Sequence, residues 1–223
     1  LKGHEKRNIR SPRQLMRLTS ALQALSTEKL LIAVDQEGGR VGRLAPRLGF
    51  PATTTPAELG QLDNEKLTAK KAGQLAQTLK TYGFNFNLAP VVDLNVNANN
   101  FIVKKQRTFS SDPGKTSKHA AAYIQAHRDR GIITSLKHFP GHGSSKGDSH
   151  QGLADVSDSW NKVELAPYKD LINAKKVDVI MTAHVFNKKL DANYPATLSK
   201  KIISGLLRQQ LSYQGVVISD DML

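Results

Sequence analysis

Apolar runs of strand length recur along this chain, separated by segments with the period of a helix. The runs are rich in Val, Ile, Leu and Phe, which is typical of strands buried on both faces. Five strands are predicted: Leu30–Val34, Phe84–Leu88, Ile132–Leu136, Val177–Thr182 and Val216–Ser219. Strands that alternate with helices indicate βα units, and therefore a parallel sheet in an α/β fold.

Helices are predicted in the gaps between the strands, over Asn64–Tyr82, Pro113–Arg130, Trp160–Lys175 and Ser199–Leu211. Their ends carry capping residues. Asp112 is placed to cap the second helix with Pro113 at its first position, and Gly131 follows its last turn. Ser199 is placed to cap the fourth helix, and Gly83 ends the first.

Composition excludes several classes of chemistry. The chain has no cysteine, which removes thiolate nucleophiles, disulfide frameworks, iron–sulfur clusters and cysteine-based zinc sites. No apolar run approaches the ~20 residues of a membrane span, so no transmembrane segment is predicted. The 32 Lys and Arg against 19 Asp and Glu give a net charge of +13. This charge permits nucleic acid, anionic lipid or an acidic substrate as a partner. The cations are dispersed as short pairs without interleaved aromatic residues, which favours a solvated surface.

Polar residues follow the predicted strands at their carboxyl ends. In chain order they are Asp35, Asn87 with Asp93, Lys137 with His138, His184, and Asp220 with Asp221. In a (β/α)8 barrel these strand ends converge on one mouth, so polar groups there face a common substrate. An open doubly wound sheet usually carries a Gly-x-Gly-x-x-Gly loop after its first strand, and the segment Glu37–Arg40 lacks that spacing.

Five βα units do not close an eight-stranded barrel, which typically needs ~250 residues. The sequence also ends directly after a predicted strand, and no Pro- or Ser-rich linker divides it. We therefore expect residues 1–223 to be a single catalytic domain, a (β/α)8 barrel fragment that is incomplete at both ends. A complete smaller sheet is the alternative.

The densest polar segment is Lys137–His150, with the sequence KHFPGHGSSKGDSH. It begins at a strand end and continues into a loop with several glycines, so its first half is anchored and its second half can move, as in a lid. A surface loop with incidental histidines is one alternative. A metal site is another, with the candidate ligands His138, His142, Asp148 and His150. Gly/Ser loops hold ligand geometry poorly, which disfavours the metal.

Asp148 and His150 lie two residues apart, close enough for the carboxylate to orient the imidazole by a hydrogen bond. A histidine exchanges a proton near neutral pH, so the pair predicts a general acid/base. Asp220 and Asp221 follow a strand, and one of them is expected to face the mouth. A helix N-cap is an equal alternative for Asp220.

Other charged and polar residues of the mouth are suited to sugar hydroxyls, because a carboxylate or a guanidinium can engage two neighbouring oxygens. They are Asp35, Arg43, Arg107, Lys137 and His138. Taken individually, each of these residue types is more often a surface or salt-bridge residue.

Four segments resemble, in order, those of the glycoside hydrolase family 3 β-N-acetylhexosaminidases. They are Val34–Val41, Leu88–Asp93, Lys137–Gly143 together with Asp148–His150, and Ile218–Asp221. The Lys-His-Phe-Pro-Gly-His-Gly loop that ends in Asp-Ser-His is highly specific, and the match spans essentially the whole chain. The chain departs from the family in one turn, where Lys105-Gln106 precedes Arg107 and the family usually has Gly-Asn.

The resemblance implies a (β/α)8 barrel that removes terminal β-linked N-acetylglucosamine from peptidoglycan fragments or chito-oligosaccharides, with retention of configuration. It implies that Asp220 is the nucleophile, His150 the acid/base and Asp148 its orienting partner. It further implies that the sugar is held by Asp35, Arg43, Arg107, Lys137 and His138. A cofactor, a metal and a nucleic-acid partner are not expected.

Two other activities stay open within this resemblance. A histidine acid/base does not repel phosphate as a carboxylate would, so phosphorolysis of the same linkage is permitted. A catalytically idle glycan-binding relative is the second possibility. The sequence leaves the oligomeric state open. It does not fix the compartment, and the cytoplasm is favoured over export or the cell envelope.

Overall fold

Strands and helices alternate along the chain in the computed structural model, which describes residues 8–146 and 154–222. The strands are β1 (Ala33–Val34), β2 (Gln36–Gly38), β3 (Val41–Gly42), β4 (Phe86–Asn87), β5 (Ile133–Phe139), β6 (Ala154–Asp155), β7 (Val179–Thr182), β8 (Val185–Phe186) and β9 (Val216–Ser219). The α-helices are α1 (Pro12–Gln23), α2 (Pro56–Leu62), α3 (Glu65–Thr81), α4 (Phe101–Lys104), α5 (Pro113–Arg128) and α6 (Ala166–Asn173). Short 3-10 helices span Pro46–Leu48, Lys162–Leu165 and Ala196–Leu198, and a π-helix spans Lys201–Gln210.

The predicted strands form one parallel sheet of five strands, in the order β1-β4-β5-β7-β9. Every neighbouring pair is parallel, and the order in space is the order along the chain. Parallel neighbours place their carboxyl ends on one edge of the sheet. The predicted parallel α/β sheet is therefore confirmed, with the polar residues that follow its strands at a common edge. Two small pairs flank it, antiparallel β2–β3 and parallel β6–β8.

The predicted helices are present with adjusted bounds. The segment predicted as Trp160–Lys175 divides into a 3-10 turn and α6, and the last predicted helix is π-helical. The predicted caps are confirmed: Asp112 Oδ1 accepts the Lys115 N–H at 2.6 Å, and Ser199 Oγ accepts the Ile202 N–H at 3.0 Å. Helices α1 and α2 were not predicted, although Ser-Pro and Thr-Pro pairs mark their starts as recognisable signals.

No helix among the described residues is long and apolar enough to cross a membrane.

The core consists of two apolar clusters packed on the sheet. The larger joins β5 and β7 to α5 and α6, and includes Leu136, Phe139, Ile180, Tyr123, Ile124, Tyr168 and Leu171. The smaller joins α1, α3 and β1, and includes Leu15, Leu75, Leu79 and Val34. Each such buried side chain contributes about 1.5–3 kcal/mol. The strand ends therefore stand on a packed support.

Buried polar contacts extend this support towards the mouth. Asn87, at the end of β4, accepts the Gln36 N–H at 3.1 Å and donates to the Gln36 carbonyl oxygen at 3.0 Å. The hydroxyl of Tyr123 also donates to that carbonyl, at 3.1 Å. These bonds fix the backbone at Gln36, and so fix the direction in which the next side chain, Glu37, leaves β2.

Gly60 gives a test of the packing between α2 and the turn that carries Arg107. A Cβ added at Gly60 would lie 1.7 Å from the carbonyl oxygen of Phe109. We expect Gly60→Ala to lower the free energy of unfolding by about 1–3 kcal/mol, although alanine is the better helix former. Gly205→Ala in the π-helix is the matched control, because no described atom beyond its chain neighbours and the nearby backbone of its own helix lies within 4 Å of the added methyl group. Denaturant unfolding measures both variants, and equal stabilities would contradict this expectation.

Candidate active site

A line of alternating charges lies at the carboxyl edge of the sheet. Arg43 donates to Asp35 at 2.9 Å, and the other oxygen of Asp35 accepts from Lys137 Nζ at 2.9 Å. The same Nζ lies 2.7 Å from Glu37 Oε1. Glu37 in turn accepts two hydrogen bonds from Arg107, at 2.7 and 2.8 Å. We call these five residues the charge network.

Burial divides the charge network into an inner and an outer part. The side chains of Glu37, Lys137 and Arg107 are buried, whereas that of Arg43 is 61% exposed and that of Asp35 is 28% exposed. The partly exposed end at Asp35 and Arg43 is open to a ligand. The buried end holds the inner cations in fixed positions.

Ion pairing keeps the carboxylates of the charge network ionised. Burial alone would raise the pKa of Glu37, but Lys137 and Arg107 outweigh it and hold the pKa below its usual value. Burial would likewise raise the pKa of Asp35, and Lys137 with Arg43 lowers it to about 2. The pKa of Lys137 is raised, because its two carboxylates outweigh the effect of burial. Asp35, Glu37 and Lys137 are therefore charged at neutral pH.

His138 connects this network to a second buried carboxylate. Its Nδ1 lies 2.6 Å from Asp93 Oδ2, and its Nε2 lies 3.3 Å from a terminal nitrogen of Arg107. An ionised carboxylate can only accept, so the N–H group at Nδ1 donates to Asp93. Burial would raise the pKa of Asp93, but His138 and His142 outweigh it and lower the pKa.

Asp220 follows β9 and faces the same edge. Its N–H donates to the Thr182 carbonyl oxygen at 3.1 Å, which continues the ladder between β7 and β9. Oδ2 lies 4.0 Å from His138 Nε2, and Oδ1 accepts the Asp221 N–H at 2.8 Å. Asp221 is exposed, and its carbonyl oxygen accepts from His184 Nε2 at 2.7 Å. Of the two aspartates, Asp220 is therefore the one beside His138.

Two of the candidate residues, Asp148 and His150, lie outside the described residues. The chain leading to them is described as far as residue 146. Its backbone is held by Asp93, which accepts the N–H groups of His138 and His142 at 3.2 and 2.8 Å. Among the residues with described positions, no three His, Asp or Glu side chains are grouped as metal ligands would be.

Residues 3–223 match the glycosyl hydrolase family 3 N-terminal domain. The chain belongs to glycosyl hydrolase family 3. The family and the α/β barrel-type fold predicted from the sequence are thereby confirmed.

Relatives of this family 3 chain are β-hexosaminidases. The β-hexosaminidase of Tolumonas auensis is 36% identical over 221 residues, which are 97% of this chain and 64% of the relative. β-Hexosaminidase A of Pseudoalteromonas piscicida is 35% identical over 234 residues, with 96% of this chain and 39% of the relative covered. The chain thus spans about two fifths to two thirds of the length of these relatives.

Solved structures show the same similarity. A glycoside hydrolase family 3 β-N-acetylglucosaminidase from Paenibacillus sp. str. FPU-7 superposes with a TM-score of 0.88 at 34% identity, over 96% of this chain and 41% of that one. Native NagZ from Neisseria gonorrhoeae superposes with a TM-score of 0.87 at 33% identity, over 97% of this chain and 64% of that one.

Two buried carboxylates of this family 3 chain were not recognised as site residues from the sequence. Asp93 was noted as a residue after a strand and Glu37 as part of a segment without phosphate-loop spacing. Both also lie in segments that resemble the family, but neither was assigned a role. A usable signal for Glu37 is its position before two glycines that both adopt positive φ, 115° at Gly38 and 57° at Gly39. A Cβ at Gly38 would lie 2.4 Å from the Thr54 carbonyl oxygen, so the turn that carries Glu37 is tightly constrained.

The residues ahead of Arg107 differ from the family pattern, but Arg107 still belongs to the charge network. Gln106 adopts a φ of 60°, in the left-handed region where Asn is favoured over Gln. Gln106 therefore enters this conformation less readily than an asparagine would. Arg107 still makes its two hydrogen bonds to Glu37.

Proposed function

We propose that the protein is a retaining exo-β-N-acetylglucosaminidase acting on peptidoglycan fragments or chito-oligosaccharides. The observation that carries this proposal is the position of Asp220, whose Oδ2 lies 4.0 Å from His138 Nε2. This position puts a carboxylate beside His138, which in turn contacts Arg107 of a charge network that is suited to sugar hydroxyls. The names of the relatives, β-hexosaminidase and β-N-acetylglucosaminidase, support the same substrate class.

In this proposal the sugar is held by Asp35, Arg43, Arg107, Lys137 and His138. The buried cations Lys137 and Arg107 are already oriented by Glu37, so they need no reorganisation when the substrate binds. Asp35 presents a partly exposed carboxylate that can accept from hydroxyl groups. In this proposal residues 1–223 belong to a single catalytic barrel domain.

The proposed reaction has two displacement steps. First, Asp220 forms a bond to the anomeric carbon while the glycosidic bond breaks, and His150 as imidazolium protonates the leaving oxygen. Then the neutral imidazole takes a proton from water, and the water oxygen displaces Asp220. Asp148 orients the imidazole, as its position two residues away suggests. Both steps balance with substrate, water and these side chains.

Product analysis tests this function. We expect the intact protein, given an aryl N-acetyl-β-glucosaminide in phosphate buffer, to release free N-acetylglucosamine that first appears as the β-anomer by NMR. The same reaction in a phosphate-free buffer is the control and should give the same product. N-acetylglucosamine 1-phosphate would instead identify a phosphorylase. A first-formed α-anomer would contradict retention, and binding without any product would identify a glycan-binding protein.

A further inference from the structure

A buried glutamate outside the charge network lies against the loop that follows His138. Glu164 belongs to the 3-10 helix Lys162–Leu165 and is 1% exposed. Its Oε2 accepts the Gly143 N–H at 3.0 Å and the Ser144 N–H at 3.4 Å. A Cβ added at Gly141 would lie 2.6 Å from the Glu164 Cβ, so the backbone and the glutamate side chain are closely packed.

The stretch from His138 to Ser144 is therefore held by two buried carboxylates. Asp93 accepts the N–H groups of His138 and His142, and Glu164 accepts those of the next two residues. Trp160 adds a third attachment by donating its indole N–H to the Pro140 carbonyl oxygen at 3.1 Å. The backbone that precedes Asp148 and His150 thus leaves the sheet along a fixed path.

Glu164 lacks the compensation that stabilises the other buried carboxylates. Glu37 has two cations and Asp93 has His138, whereas no cation pairs with Glu164 in the described part of the chain. Its Oε1 has no hydrogen-bond partner among the described residues. Among the described residues, Asp93 and Tyr168 are ionisable groups that face it. Burial, with the charge of Asp93, raises the pKa of Glu164 to about 7.

A carboxyl group buried without a cation is unfavourable for stability, so its hydrogen bonds to the loop point to a functional role. We propose that Glu164 is a positioning residue for proton transfer to the leaving group, because it holds the backbone from which the segment carrying His150 continues. This inference rests on the proposed function, in which His150 is the acid/base. The described hydrogen bonds of Glu164 reach this loop and not Asp35 or Lys137, so sugar binding is expected to be independent of it.

Comparing kcat/KM for substrates with different leaving groups separates a role in proton transfer from a purely structural role. An unactivated disaccharide needs protonation of its leaving oxygen, whereas a dinitrophenyl glycoside needs little. For Glu164→Ala we expect kcat/KM for the disaccharide to fall by about 10–100-fold, part of the 10²–10⁴-fold that acid/base catalysis contributes. We expect kcat/KM for the dinitrophenyl substrate to change by less than about threefold. The inhibition constant of free N-acetylglucosamine should stay unchanged.

Glu164→Gln provides the conservative rescue. Only Oε2 accepts the two N–H groups, so a Gln carbonyl oxygen in that position can keep both bonds. We expect this variant to retain both kcat/KM values within about threefold. Asp158→Ala is the matched surface control, because the side chain of Asp158 is 89% exposed.

Equal losses on the two substrates would overturn the proposal, and so would a loss in Glu164→Gln as large as that in Glu164→Ala. Amide hydrogen exchange tests the positioning itself without any assay of activity. We expect faster exchange at Gly143 and Ser144 in Glu164→Ala but not in Glu164→Gln, and unchanged exchange in Glu164→Ala would overturn the role. Absence of turnover by the wild type would overturn the proposed function, and with it the link to proton transfer, while the exchange result would still stand.

Discussion

Asp220→Asn is expected to lower kcat/KM for an aryl N-acetyl-β-glucosaminide by about 10⁴-fold or more, because an amide cannot form the covalent intermediate. The amide has nearly the shape of the carboxylate, so the contacts of β9 with β7 should be retained. Steady-state kinetics of the intact protein measure the effect. The thermal unfolding temperature of the variant checks that the fold is unchanged.

The neighbouring residue offers a matched control. Asp221 is exposed, and its described hydrogen bonds to Asp220 and His184 are made by its backbone N–H group and carbonyl oxygen, which Asp221→Asn preserves. We expect this variant to stay within about threefold of wild-type kcat/KM. Wild-type turnover by Asp220→Asn would contradict the nucleophile assignment.

A chemical rescue separates a missing nucleophile from general damage. With Asp220→Ala and an activated substrate, azide can enter the space of the carboxylate and attack the anomeric carbon directly. A single displacement inverts configuration, so the expected product is the α-glycosyl azide. A β-glycosyl azide, formed by two displacements, would show that another residue is the nucleophile.

Glu37→Gln is expected to lower the free energy of unfolding by about 3–5 kcal/mol at neutral pH, because it leaves two buried cations with too little compensating charge. Arg107 loses the partner of its bidentate pair, and Lys137 keeps only Asp35. The misplaced cations should also weaken binding of N-acetylglucosamine. Denaturant unfolding and the inhibition constant of the free sugar measure the two effects.

Arg43→Ala is the matched control at the outer end of the same charge network. Its side chain is 61% exposed, so its ion pair with Asp35 is screened by solvent, and we expect a stability change of about 0–1 kcal/mol. The double variant Glu37→Gln with Arg107→Gln should recover part of the stability lost by Glu37→Gln, because it removes one of the uncompensated charges. Equal stabilities of Glu37→Gln and wild type would refute this view of the network.

The contribution of Glu37 to the free energy of unfolding depends on pH. Because the pKa of Glu37 is lowered from 4.5 in the folded chain, its stabilising contribution is present above pH 4.5. The contribution is lost as the pH falls through the folded value. The stability difference between wild type and Glu37→Gln should therefore be full near neutral pH and shrink below pH 4.5.

The positions of strands and helix ends could be predicted from local pattern, but their exact lengths could not. The strand predicted over Ile132–Leu136 extends to Phe139, through Lys137 and His138. Their polarity did not predict a buried strand, because the ion-pair partners that make their burial favourable lie in other segments. The shape of the helix over Lys201–Gln210 was likewise not predicted, since its π-helical form is not evident from apolar spacing.

In the candidate site, most residues could be predicted from the sequence, but the pairing between them could not. The types of most of its residues were identified from the polar groups after each strand and from the resemblance to family 3. Glu37 was missed as the residue that joins two of them, since it lies 70 positions before Arg107. A pairing over that separation leaves no trace in local spacing. The roles of Asp148 and His150 stay predictions from the sequence.

Apolar periodicity and capping residues act over a few neighbouring positions, so the amino-acid sequence alone predicted the parallel α/β sheet. The family was predicted from the resemblance of four short segments, above all the loop that begins at Lys137. Which carboxylate compensates which buried cation, and which backbone N–H groups Glu164 holds, was decided only by tertiary structure. Those contacts depend on distances between segments far apart in the chain, which become defined once the strands pair and the helices pack on them.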